Sequence, residues 1–76
     1  MIITIEYCMQ WNYGPQARSL RDQLNEEFGY WAELIESGGG VFEIKVNGDL
    51  IFSKKQLGRF PETNEIINLV ERFGLI

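Results

Sequence analysis

The sequence predicts an α+β fold, a thin sandwich of two helices on one face of a four-stranded mixed sheet, with elements in the order β-α-β-β-β-α. Three observations lead there. A β-branched and aromatic run, Ile2–Tyr7, is broken by Gly14-Pro15 and followed by helical spacing from Ala17. An alternating stretch, Val41–Val46, meets Asn47-Gly48, a favoured hairpin dipeptide, and returns through Leu50-Ile51-Phe52. A second helical stripe, Ile66, Ile67, Val70 and Phe73, closes the chain.

In the first strand, alternation puts Ile3, Ile5 and Tyr7 on one face and Ile2, Thr4 and Glu6 on the other. The first helix is expected over about Pro15–Phe28, since proline suits a first helical turn. Its stripe is Ala17, Leu20, Leu24 and Phe28, and Gly29 is a natural stop. Tyr30–Ile35 reads as a short second strand, with the Tyr30-Trp31 pair packing under the end of the first helix. Strand, helix, strand makes a βαβ unit, so the first two strands are parallel with a right-handed crossover. Ser37–Gly40 is a flexible loop. In the hairpin, Phe42, Ile44 and Val46 should face the core; Ile51 and Phe52 both remain candidates for the inward position. Ser53–Phe60 reads as a polar connector, and the last helix as starting near Pro61–Thr63. The expected strand order is 2-1-3-4, a minimal thioredoxin-like arrangement. Its open face carries Thr4, Glu6, Glu43 and Lys45, with Glu6 and Lys45 expected to pair.

The 76 residues make one domain, spanning 1–76, and 45% hydrophobic content with five Phe, three Tyr and two Trp gives it a core. Seven basic against eleven acidic residues argue against a nucleic-acid partner. No apolar run reaches the roughly 20 residues of a membrane span, and the opening Met-Ile-Ile-Thr-Ile-Glu reads as a strand, not a signal peptide. No membrane role is expected. One cysteine excludes an internal disulfide and points to a reducing, cytoplasmic setting. With no histidine there is no zinc or iron–sulfur ligand set and no Ser-His or Cys-His catalysis, so no metal and no resident cofactor are expected.

That leaves Cys8, at the junction between the first strand and the first helix, as the candidate reactive atom. Strand ends of this kind are where sites lie in open α/β sheets. Cys8 is either a small buried hydrophobe or a thiolate favoured by the helix N-terminus and unpaired amides. The nearest cation in sequence is Arg18, one helical turn in. Met9, Gln10, Ser37, Gly38 and Gly39 are candidate site-loop contacts, the Ser37–Gly40 loop offering backbone donors and acceptors. Trp11 is either an aromatic partly covering the loop or a contact for a partner. Lys54-Lys55 reads as a solvated pair, or else a contact for an acidic partner.

Tyr7-Cys8-Met9-Gln10-Trp11-Asn12-Tyr13 resembles the Y-C-x-x-C/U-N-[WY] opening of the selenoprotein W-like (selenoprotein T/W/H, or Rdx) redox family. Gly39–Gly48 is similar to that family's G-G-x-F-E-[IV]-x-V-[DN]-G. Ser53-Lys54-Lys55 and Gly58–Glu62 match its S-[RK]-K and G-x-F-P-[DE] stretches. The likeness runs through almost the whole chain. It implies a thioredoxin-like protein that handles thiols or peroxides through a CxxC or CxxU pair. Trp11 stands where the family places its second cysteine or selenocysteine, a position it often encodes by UGA, so the codon for residue 11 separates native tryptophan from selenocysteine.

Two functions compete. One is a thiol oxidoreductase or antioxidant protein limited to monothiol chemistry at Cys8, with glutathione as co-substrate or a protein thiol as partner. The other is a non-catalytic interaction module that kept the fold and lost the redox pair.

Overall fold

The protein is described here from a computed structural model covering residues 1–62 and 64–74. The elements are β1 (Ile3–Cys8), α1 (Gly14–Phe28), β2 (Glu33–Ser37), β3 (Phe42–Val46), β4 (Asp49–Ser53), α2 (Lys54–Leu57) and α3 (Glu65–Gly74). The strands form one sheet in the order β2-β1-β3-β4, the order expected. β1 runs parallel to β2, with Cys8 opposite Ser37, and antiparallel to β3, with Tyr7 opposite Phe42.

The alternation of β1 sorts its side chains as expected. Ile3, Ile5 and Tyr7 join Phe42, Ile44, Val46 and Phe52 in one buried cluster. Ala17, Leu20 and Leu24 of α1 and Ile66, Ile67 and Val70 of α3 complete it, so both long helices lie on the same face of the sheet. Burying each such aliphatic side chain is worth about 1.5–3 kcal/mol, which makes this cluster the main source of stability.

The hairpin closes through Asn47 (φ 51°) and Gly48 (φ 86°), two left-handed residues in a two-residue loop. Asn47 also ties down the chain start: its N–H donates to the Ile2 carbonyl at 2.7 Å, and its Oδ1 accepts from the Ile2 N–H at 2.8 Å. Ile44 pairs with Phe52 but Lys45 pairs with Leu50, so Ile51 is the extra residue of a bulge. Phe52 therefore points inward and is buried, and Ile51 is half-buried.

Several expectations are corrected. The Ser53–Phe60 connector contains a helical turn, α2. Ser53 caps it, its hydroxyl accepting the Gln56 N–H at 3.2 Å, and Gly58 ends it in a left-handed conformation. The Ser53 hydroxyl also donates to Glu43 at 2.5 Å, and the Lys55 N–H reaches the other oxygen of that carboxylate, so the turn is fastened to β3. Glu6 does not pair with Lys45, because the register sets Glu6 opposite Glu43 and Lys45 opposite Thr4. The second strand starts only at Glu33. Tyr30 and Trp31 precede it and are exposed, while Ala32 takes the buried position; the Arg21 guanidinium stacks 5.9 Å from the Trp31 ring. α3 begins at Glu65, not near Pro61, and Thr63 lies outside the described residues. Phe73, in the last turn beyond Val70, is exposed and not part of the apolar face.

Candidate functional site

β1 ends at Cys8, and the chain leaves the sheet in a tight turn before α1 starts at Gly14. Within that turn the Asn12 N–H donates to the Met9 carbonyl at 3.2 Å, and the Tyr13 N–H donates to the Cys8 carbonyl at 3.2 Å. Asn12 is left-handed (φ 60°), a conformation that asparagine tolerates better than other side chains. The turn is pinned to the opposite loop by two hydrogen bonds: Cys8 N–H to the Val41 carbonyl at 2.9 Å, and Met9 N–H to the Ser37 carbonyl at 3.0 Å. The loop after β2 therefore folds back over the end of β1.

The sulfur of Cys8 sits inside this arrangement with 0% exposure. Burial pushes its pKa up. The backbone N–H groups of Gly40, Trp11 and Gln10 face the sulfur, and the Lys54 charge lies near it; together they more than offset burial and hold the thiol below its ordinary value. α1 begins six positions after Cys8, and the amides facing the sulfur belong to the two loops.

The cation is also not the one nearest in sequence. Arg18 folds onto Gly14, where an added Cβ would lie 2.9 Å from its Nη1. Lys54, expected to be a solvated lysine, is half-buried, with its ammonium 5.3 Å from the ring centroids of both Tyr13 and Phe60. Those rings belong to an edge-to-face series that runs Trp11, Tyr13, Phe60, Phe42, with centroid spacings of 6.3, 4.6 and 5.2 Å. The series leads from the exposed rim of the site to the core. Lys55 is exposed.

Among the residues singled out from the sequence, the structure brings together Cys8, Met9, Gln10, Trp11 and Ser37. Met9 and Trp11 are exposed, at 50% and 62%. Gly38 and Gly39 form the connection between Ser37 and Gly40, and it is Gly40 and Val41 whose backbone meets Cys8. Lys54, Tyr13 and Phe60 were missed as site residues, whereas Gly40 belongs to the loop expected to offer backbone donors. A signal for Lys54 was present: Ser53-Lys54-Lys55-Gln56 is a capping box, and Gly58 marks the stop, so a helical turn there presents its first residue on a fixed backbone. No helix among the described residues is long and apolar enough to cross a membrane.

Comparison with known proteins agrees with this geometry. Residues 2–72 match the model of the Rdx family. The fold superimposes on the crystal structure of a selenoprotein W-related protein from Vibrio cholerae with a TM-score of 0.88 and 34% identity, covering 93% of this chain and 92% of that one. A protein from Bordetella parapertussis gives a TM-score of 0.90 at 29% identity, with 95% of both chains covered. Migration and invasion enhancer 1 from Mus musculus is 34% identical over 71 residues, as is its counterpart from Bos taurus. The matched region is 92% of this chain but 62% of those mammalian relatives. A family match across nearly the whole chain, with a fold that superimposes on a selenoprotein W-related protein, places the protein in the selenoprotein W-like group of thioredoxin-like, redox-related folds: it belongs to the Rdx family.

Proposed function

We propose that this protein is a monothiol redox protein whose reacting atom is the Cys8 sulfur. The observation that carries the reading is the nest of three loop amides and one lysine around a thiol that burial alone would have made inert. A thiolate so held attacks one sulfur of a disulfide. The new bond forms to Cys8, the old S–S bond breaks, and the other sulfur leaves with the electron pair as a thiolate. An external thiol, glutathione or a partner cysteine, then attacks the mixed disulfide and returns Cys8 to its thiolate. With a peroxide, the O–O bond breaks, Cys8 becomes a sulfenic acid and the leaving alkoxide or hydroxide takes a proton; a thiol then condenses with the sulfenic acid, releasing water. The chain holds one cysteine, so neither cycle closes within the molecule. A reducing, cytoplasmic setting suits a free thiol of this kind.

A second reading is the interaction module. It is favoured by the full burial of Cys8 beside the exposed Met9 and Trp11, which present apolar surface at the same rim. The pH dependence of Cys8 alkylation separates the two, followed by mass spectrometry after exposure to oxidised glutathione. The redox reading expects a rate midpoint below the ordinary thiol value of about 8.5 and one glutathione adduct that a reductant removes. An ordinary midpoint with no adduct overturns it in favour of the module.

A further inference from the structure

The geometry points to Trp11 as the residue that decides which reagents reach Cys8: its indole is a side-chain cover that admits small electrophiles to the sulfur and holds back bulky disulfides. This rests on the proposed thiol chemistry and adds a specificity to it. The first support is that Cys8 is fully buried although it lies at a strand end, where its turn is hydrogen-bonded to Ser37 and Val41 on either side of the neighbouring loop. The second is the contact between Trp11 and Gly40. A Cβ built on Gly40 would lie 2.5 Å from Cζ3 of Trp11, 3.0 Å from Cε3 and 3.2 Å from Cη2. The six-membered ring of the indole thus rests on the residue whose N–H faces the sulfur, and Gly40 is buried there despite its place in a loop.

The third support is that most of the ring is open to solvent. Trp11 is 62% exposed, lies outside the core cluster, and meets Tyr13 edge to face. It can swing away without opening the core, as a small lid does. Attack on a disulfide needs the nucleophilic sulfur, the attacked sulfur and the leaving sulfur in line, so a reagent with bulk behind the leaving atom needs the space that the indole fills. A small thiosulfonate needs much less of it. Residue 11 therefore acts twice, its amide favouring the thiolate and its side chain restricting what the thiolate meets.

The test compares two reagents that undergo the same displacement at Cys8. Methyl methanethiosulfonate is small and releases methanesulfinate; dithiodipyridine is bulky, uncharged and releases pyridinethione, read by absorbance. Trp11→Ala should raise the dithiodipyridine rate by about tenfold or more and the thiosulfonate rate by less than about threefold. Trp11→Phe should fall between parent and alanine variant. Circular dichroism confirms that each variant is folded. The wild-type thiosulfonate pH midpoint tests the thiol chemistry separately, since an ordinary midpoint would remove the redox reading while the reagent ratio still judged the cover. An equal rise with both reagents, or no change in either, overturns the assignment of Trp11 as the cover.

Discussion

The ammonium of Lys54 sits 5.3 Å from the ring centroid of Tyr13 and the same distance from that of Phe60, on the side of the site where its charge acts on the Cys8 sulfur. Two aromatic faces thus hold a flexible lysine in place, each contact contributing about 0.5–1 kcal/mol where solvent still has access. The lysine is the first residue of a helical turn that is itself tied to Glu43, so its backbone is fixed as well.

Lys54→Met should therefore raise the Cys8 pKa toward its ordinary value, because the cation is lost and the apolar stem is kept. The change is expected to be modest, since the three loop amides contribute more than the lysine. Alkylation rate against pH measures it, and Lys54→Arg should largely restore the parent midpoint. A methionine variant with an unmoved midpoint would show that Lys54 serves only the packing of Tyr13 and Phe60.

The fold was legible because its two periodicities are clean. Ile3, Ile5 and Tyr7 alternate, Leu20 and Leu24 repeat by four, and Asn47-Gly48 takes the hairpin turn that its residues favour. The site was legible at Cys8, in its turn and in the Ser37–Gly40 loop. Lys54 and the rings of Tyr13 and Phe60 were not, because sequence spacing does not connect them to position 8. They meet because β1 pairs with β3, which sets Tyr7 opposite Phe42, and because Ser53 caps a turn beside Glu43. Tyr30 and Trp31 failed for a related reason. An aromatic pair reads as core, yet the strand register begins after them and leaves Ala32 to fill the inward position.

Leu24 is 0% exposed in the middle of the α1 stripe, packed within the cluster that joins both long helices to the sheet. Leu24→Ala should cost roughly 2–5 kcal/mol in urea or thermal unfolding, the sum of lost transfer energy and the cavity left behind. A loss of a few tenths would mean that α1 does not pack on the sheet as described.

The Arg59 guanidinium grips the Glu65 carboxylate through two bonds of 2.8 and 3.0 Å, and the Glu62 N–H adds a third at 2.9 Å. Arg59, then the Glu62 amide, hold Glu65 down at about 2. Its folded pKa lies below the unfolded value of about 4.3, so the contribution is full above about pH 5 and is lost as pH falls toward 2. Both side chains are partly exposed, at 44% and 23%, so solvent screening keeps the pair within about 1 kcal/mol. Glu65→Gln should be less stable than the parent at pH 7 and nearly equal to it near pH 2. A gap that persists unchanged into acid would show that the carboxylate charge contributes nothing.

Position 11 allows a direct test of whether the Cys8 turn accommodates a paired thiol. The amide of residue 11 already faces the Cys8 sulfur, so a thiol introduced there starts from the right part of the turn. Trp11→Cys should form a disulfide with Cys8 under mild oxidation, provided the turn brings the two Cβ atoms to about 3.8 Å. Trp11 is 62% exposed and lies outside the core cluster, so its removal should cost no more than about 1 kcal/mol. The parent chain, with a single thiol, should leave insulin disulfides at background with any reductant, and the variant should reduce them with turnover. Mass spectrometry reads the disulfide as the loss of two hydrogens, and the melting temperature reports the fold. A folded variant that stays reduced would show that the turn, held by the left-handed Asn12 and the Met9–Asn12 hydrogen bond, keeps the two positions apart. The monothiol cycle proposed for Cys8, which is resolved by an external thiol, would be untouched by that result.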